Sequence, residues 1–308
     1  MSRRILVAGA INTDLVASVD RAPEAGETIT GRSFSIHSGG KGANQAVAAS
    51  RSGAKAVMLG GVGNDDFGSG RMADLAADGI DTNRVMTIDD ASSGVALITV
   101  EASGENRICY VPGATLRVTP EHAREAVEAI QPDVVLAANE LSIDCLRDVF
   151  SWAKKHDVPV IYNVAPYSED ARQLLPMVDI LMVNRGEAAA LQGCDPESKD
   201  AADLAAGVFA MGVSSVVVTL GGDGAYAVHQ GDAYHAPAMK VDVVDTTGAG
   251  DTFCGAFAAR YAEGASFREA VRYASAAGAL ATTKQGAQSS IPARDEIESV
   301  LGGRRSGS

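Results

Sequence analysis

Residues 134–162 read VVLAANELSIDCLRDVFSWAKKHDVPVIY. Val134 to Ala137 is apolar throughout, Ser142 to His156 carries apolar residues at three- and four-residue spacing, and Val158 to Tyr162 is again an apolar, β-branched run. A short continuous apolar run suits a strand buried on both faces, whereas the 3.6-residue spacing suits a helix with one buried side. The stretch therefore reads as strand, helix, strand. The same alternation continues in both directions. Strand-like runs fall at Arg4 to Ala10, Ala56 to Gly60, Ile180 to Val183 and Val216 to Leu220. Helical stretches fall at Gly42 to Ser52, Phe67 to Asp78, Pro120 to Ile130 and Ala201 to Met211, with Thr119-Pro120 as a helix start. This order predicts an α/β fold: a mostly parallel central sheet, right-handed crossovers and helices on both faces.

Two regions depart from the alternation. Residues 12–38 and 93–113 contain β-type runs without helices between them, among them Leu15 to Val19 and Val95 to Val100. They predict a small additional antiparallel sheet, with Ser103-Gly104-Glu105-Asn106 as the turn of its second hairpin. Such a sheet acts either as a lid over a site and a surface for a second copy, or as a decorative hairpin. The expected layout is one α/β domain over residues 1–301 and a disordered tail over 302–308, where Gly-Gly-Arg-Arg-Ser-Gly-Ser shows no apolar pattern.

Composition narrows the function classes. Of 308 residues 26 are basic and 39 acidic, a formal net charge of −13, which argues against a nucleic-acid partner held through its phosphates. The apolar fraction of 46% excludes a disordered chain. The run Ile5 to Ile11 is too short for a membrane span or an ordinary signal peptide, so a cytoplasmic protein without a membrane partner is expected. Cys109, Cys145, Cys194 and Cys254 are widely spaced, and the histidines lack zinc-binding spacing.

The clustered glycines direct attention to anion-binding loops. Lys41 is followed by Gly rather than Ser or Thr, which excludes a P-loop, and the first strand ends without the dinucleotide fingerprint. Gly68-Ser69-Gly70-Arg71-Met72-Ala73 matches a loose form of that fingerprint but follows no strand, and reads as a chance match. The informative segment runs from Val243 to Phe257. Its small residues Gly248, Ala249 and Gly250 lead into a helix whose first N–H groups are free to face an anion, with the helix dipole adding favourable potential. Asp251 in that first turn is either a helix cap or a group that does chemistry beside the anion.

Asp245-Thr246-Thr247-Gly248-Ala249-Gly250-Asp251 resembles the C-terminal signature of the PfkB-type carbohydrate kinases. Asn12-Thr13-Asp14, Gly39 to Ala48 and Gly63 to Gly68 resemble the ribokinase branch of that family, and the likeness runs in order from about Ile5 to Pro292. It implies a ribokinase-like fold and ATP-dependent phosphorylation of ribose at O5, with Asp251 as general base and Gly248, Ala249 and Gly250 stabilising the transferring phosphoryl. Another acceptor such as 2-deoxyribose, fructose or a nucleoside, or a catalytically silent sensor, are the rivals. By the same resemblance Asn12, Asp14, Gly40, Lys41, Asn44 and Glu140 would line the sugar pocket, with Ala96 and Ile98 covering it. Read without the resemblance, Asp14 is a cap, Glu140 a solvated strand end, and Ala96 and Ile98 core. Asn184, Glu187, Thr219, Gly221, Gly224, Gly250 and Ser275 would serve ATP and Mg²⁺. Asp245, with oxygens of Thr247, Ala281, Lys284, Gly286 and Ser290, would hold K⁺. A homodimer through the lid sheets is implied. Arg185-Gly186 inside Asn184-x-x-Glu187, Ser275 and Thr115 depart from the common pattern.

Overall fold

The structure, a computed structural model, describes residues 3–302. In chain order the strands are β1 (Arg4–Ala8), β2 (Asn12–Ser18), β3 (Ser33–Gly39), β4 (Lys55–Gly63), β5 (Asp81–Ile88), β6 (Gly94–Val100), β7 (Asn106–Val111), β8 (Val134–Ala138), β9 (Val160–Asn163), β10 (Ile180–Asn184), β11 (Ser215–Thr219), β12 (Ala225–His229) and β13 (Asp232–Ala236). The α-helices are α1 (Lys41–Arg51), α2 (Asp66–Ala77), α3 (Pro120–Ile130), α4 (Ile143–Lys155), α5 (Arg185–Gln192), α6 (Ala201–Phe209), α7 (Ala249–Ala262), α8 (Phe267–Ala281) and α9 (Arg294–Gly302). Gly302 closes α9, and the remainder of the tail expected to be disordered lies outside the described residues.

The larger sheet has the order β13-β12-β11-β10-β9-β8-β1-β4-β5, parallel from β11 to β5, with β12 and β13 added antiparallel at one edge. Its strands alternate between two buried faces. Leu6 and Ala8 of β1 join a core with α3, α4, α5 and α6, while Ile5 and Val7 join one with α1, α7 and α8. Each fully buried aliphatic side chain contributes about 1.5–3 kcal/mol, and this double burial is why the strand runs are apolar throughout rather than alternating. Helix α4 illustrates the local logic. Ser142 caps it by accepting from the Cys145 amide, Leu146, Val149, Phe150 and Ala153 form the buried stripe, and Lys154 and Lys155 lie at its negative end. Strand β9 begins only at Val160, because Pro159 has no N–H and the Val158 amide bonds back to Ala153 O. Thr119 caps α3 ahead of Pro120, as its sequence indicates.

The smaller sheet has the order β3-β2-β6-β7. Pairs β2–β3 and β6–β7 are antiparallel hairpins, and β2–β6 joins them in parallel. Gly68 to Ala73 lies inside α2 and is no phosphate loop. Among the described residues no helix is long and apolar enough to cross a membrane.

Candidate active site

Open α/β sheets bind ligands beyond the carboxyl ends of their strands, where the order of connection reverses. Here that point lies between β1 and β8, since β1 connects outward to β4 on one side and the chain returns to β8 on the other. Glu140, just after β8, fills it. Its carboxylate accepts from the amides of Ala10 (2.8 Å), Gly42 (2.9 Å) and Lys41 (3.1 Å). The last two are the first N–H groups of α1, whose preceding residue Gly40 has φ 92° and supplies no side-chain cap. Glu140 thus caps α1 from a distant strand and is not a solvated strand end. Burial pushes its carboxyl above the usual range, against the pull of the Ala10 and Gly42 amides.

Of the residues expected to line a sugar pocket, Asp14 and Ala96 share one register row of the small sheet. His37, Asp14, Ala96 and Tyr110 sit side by side across β3, β2, β6 and β7, and Ile98 lies two residues along the same face. Asp14 is in mid-strand and caps nothing. Burial raises its carboxyl above the ordinary value, while His37, Arg71 and Lys41 oppose the rise and Asp251 adds to it. Asn12 is 6% exposed and its Oδ1 has no partner. The Lys41 ammonium is held in its charged form by Asp251 above all, then by Glu140 and Glu187, against burial. Asp14, Lys41, Glu140, Glu187 and Asp251 are therefore one electrostatic cluster in which a single ammonium faces four carboxylates.

Asp251 is the third residue of α7 and is 7% exposed. The residue ahead of that helix is Gly248, in the left-handed region at φ 74°, so the cap reading of Asp251 fails. Both carboxylate oxygens instead accept from side-chain amides: Asn44 Nδ2 at 2.9 Å and Gln45 Nε2 at 3.2 Å. Of the three N–H groups expected to face an anion, that of Ala249 is engaged by Thr246 O at 3.2 Å. It drops out of the donor set, because the tight turn folds it back onto the chain. The Gly248 and Gly250 amides make no backbone hydrogen bond, nor does the Asp251 amide, and nothing lies within 4 Å of where a Gly250 side chain would start. The turn is thus open at Gly250, whereas at Gly248 a side chain would start 3.2 Å from Ala287 Cα.

A pfkB family carbohydrate kinase pattern matches residues 2–294. The chain belongs to the pfkB family of carbohydrate kinases. It is 39% identical to a ribokinase of Haemophilus influenzae over 98% of this chain and 99% of that one. It is 33% identical to a deoxyribokinase of Salmonella typhi over 96% and 98%. The structure of Arabidopsis thaliana ribokinase complexed with ribose and ATP superposes with a TM-score of 0.89, at 30% identity, over 98% of this chain and 99% of that chain. The fold is accordingly the ribokinase-like α/β fold of the family, small sheet included.

Within this pfkB chain Asn184 and Glu187 form a reciprocal capping box on α5: Asn184 Oδ1 accepts from the Glu187 amide and Glu187 Oε2 from the Asn184 amide, both at 2.8 Å. Burial raises the Glu187 carboxyl, and its Oε1 remains unbonded. Arg185, one of the departures from the family pattern, turns away to donate to Pro196 O and Lys199 O, so it does not occupy the site. Thr219 ends β11, and Gly221 and Gly224 form the turn into β12, where a side chain at Gly224 would start 2.1 Å from Ala236 O. Ser275 stands apart from the carboxylate cluster. It lines a cavity of about 270 Å³ with Pro237, Met239, Ala276 and Leu301, and its hydroxyl bonds back to Val271 O. Asp245 Oδ1 accepts from the Thr247 amide and hydroxyl, and Oδ2 from the Gly286 amide at 2.9 Å. Burial pushes the Asp245 carboxyl up, but these donors outweigh it and hold it below the ordinary value. The Lys284 ammonium pairs with Glu296, Ser290 is fully buried, and Ala281 ends α8.

Sequence reasoning passed over Gln45, Asn163 and Tyr110. Gln45 adjoins Asn44 in the quoted glycine-rich motif, but its partner Asn163 is 118 residues away and only the fold joins them. The Tyr110 hydroxyl lies beside Asn12 and the fully buried Thr115.

Proposed function

We propose that this chain transfers the γ-phosphoryl of ATP to O5 of ribose, giving ribose 5-phosphate and ADP, with Asp251 as general base. The observation that carries this reading is the setting of Asp251: buried, hydrogen-bonded by two neutral amides, with the Lys41 ammonium in its field, and placed at the mouth of a helix whose amides at Gly248 and Gly250 are free. Asp251 accepts the proton of the sugar hydroxyl as O5 bonds to phosphorus and the bond to the leaving ADP oxygen breaks. General-base help of this kind is worth about 10²–10⁴-fold. The free amides and the α7 dipole stabilise charge on the transferring phosphoryl.

Asn12, Asp14, Gly40, Lys41, Asn44 and Glu140 would bind the sugar, with Ala96 and Ile98 above it. The unpartnered Oδ1 atoms of Asn12 and Asn44 support this, since a buried acceptor without a donor costs about 1–3 kcal/mol until a ligand hydroxyl fills it. Mg²⁺ usually uses one or two carboxylates plus phosphates and water, and it neutralises phosphate charge. Glu187 Oε1 is the available ligand, with Asn184, Thr219, Gly221, Gly224 and Ser275 arranged along the nucleotide. As the family resemblance implies, Asp245 with oxygens of Thr247, Ala281, Lys284, Gly286 and Ser290 would hold K⁺, which would brace the link that the Asp245 carboxylate makes between Thr247 and Gly286. A homodimer would use the outer face of the small sheet, where Phe34, Ile36, Leu97 and Val111 are exposed opposite the Asp14 row. The cytoplasm would be the site of action.

The deoxyribokinase relative favours 2-deoxyribose as the second acceptor to test. ADP release with MgATP and K⁺ is compared for ribose, 2-deoxyribose, fructose, adenosine and no acceptor. A kcat/KM preference for ribose is expected; preference for another acceptor overturns the sugar assignment, and silence with all of them overturns the kinase reading.

A further inference from the structure

Gln45 is fully buried, and its Nε2 is shared between Asp251 Oδ1 at 3.2 Å and Asn163 Oδ1 at 3.1 Å, while its Oε1 has no partner. An unpartnered buried amide oxygen is costly, and turning the amide over would only set that oxygen against two other acceptors. What prevents the turn is the neighbour. Asn163, at the end of β9 and 8% exposed, donates its Nδ2 to the backbone carbonyl of Met182 on β10 at 3.1 Å. A backbone carbonyl only accepts, so Asn163 must show it the amide nitrogen and must show Gln45 its oxygen. Gln45 must then answer with its nitrogen, and that nitrogen reaches Asp251.

We infer that Met182 O, Asn163 and Gln45 form a one-way amide relay that fixes the orientation of the Asp251 carboxylate, making Gln45 and Asn163 positioning residues for phosphoryl transfer. The polarity is set in the rigid centre of the parallel sheet, on a strand pair whose register Met182↔Asn163 is part of the ladder. Asn44 grips the other oxygen from the same turn of α1. With Oδ1 and Oδ2 each holding one donor, one lone-pair direction on each oxygen remains, and the carboxylate plane is fixed before the acceptor hydroxyl arrives. The inference rests on Asp251 being the general base.

The test is Gln45→Met, which keeps length and burial and removes the donor, with Asn163→Leu as a second variant and Asp251→Asn in the same assay. Folding is checked by thermal melting, and sugar and nucleotide affinities by calorimetry. The relay predicts that Gln45→Met lowers kcat roughly 10–100-fold, the scale of a small misplacement of a catalytic group, with both affinities within about 3-fold of the parent. The acid limb of the kcat–pH profile moves to higher pH, because the ionised carboxylate has lost a donor. Asn163→Leu, which leaves the Gln45 amide free to turn, shifts kcat and the limb in the same directions by less. If either folded variant keeps kcat within about 2-fold and the limb unmoved, while Asp251→Asn is inactive, the relay is wrong and the base stands. If Asp251→Asn itself turns over normally, the base assignment fails instead.

Discussion

Glu140 offers a stability prediction whose size follows from its contacts. Its carboxylate satisfies three backbone N–H groups, Ala10, Lys41 and Gly42, and two of these are the start of a helix that has no other cap. In Glu140→Ala all three lose their acceptor. At about 1–3 kcal/mol for each orphaned buried donor the gross cost is about 3–9 kcal/mol, and water entering the vacated space offsets part of it. Burial disfavours the charge of Glu140 in the folded state, so removing that charge returns a further part. A net loss of about 3 kcal/mol is expected. Glu140→Gln separates the contributions: its oxygen still serves Ala10 and Gly42 at the Oε2 position, but its NH₂ faces the Lys41 amide, donor against donor. One orphan gives about 1–2 kcal/mol. Urea unfolding followed through Trp152, the single tryptophan, measures both variants. A loss below 1 kcal/mol for Glu140→Ala would refute the argument that this carboxylate is the cap of α1.

Three further outcomes are expected. In Gly39→Ala the new methyl would start 2.5 Å from both oxygens of Asp14, so KM for the sugar should rise about tenfold or more while KM for ATP changes little; steady-state kinetics with each substrate varied decides it. The Asp245 carboxyl is held below its ordinary value of 3.8, so its contribution to stability is present above that value and lost as pH falls through the lower folded value. The stability difference between the parent and Asp245→Asn should therefore be constant near neutrality and shrink only in acid below the ordinary value, which unfolding curves across pH will record. On the small sheet, Tyr110→Phe should lower sugar affinity by a few-fold, since it removes a hydroxyl beside Asn12 and Thr115; calorimetric titration with ribose is the check.

Much of the fold is legible because its signals are local. β8, α3 and α4 emerge from apolar period and capping alone, within a residue or two of their observed ends. β5 is half-exposed at the sheet edge and lacks the continuous apolar run of the inner strands. α8 buries mostly alanine, which weakens the periodic contrast, although Ser266 and Glu269 spell a capping box that could have marked its start. The parallel joint between β2 and β6 had no local signal, since a long stretch of chain separates the two strands. At the site, Asp251 and Asn44 stand in recognisable motifs. That Asn44 bonds Asp251, that Glu140 caps α1 and that Asn163 orients Gln45 are properties of long-range packing, and no single segment contains them.

The proposed phosphoryl transfer depends on Asp251. Asp251→Asn keeps the shape of the side chain and replaces one acceptor oxygen with a donor, so sugar and ATP should still bind. Measured as ADP release with ribose, MgATP and K⁺, its kcat is predicted to fall about 10²–10⁴-fold. Turnover within a few-fold of the parent would contradict the assignment of this carboxylate as the base.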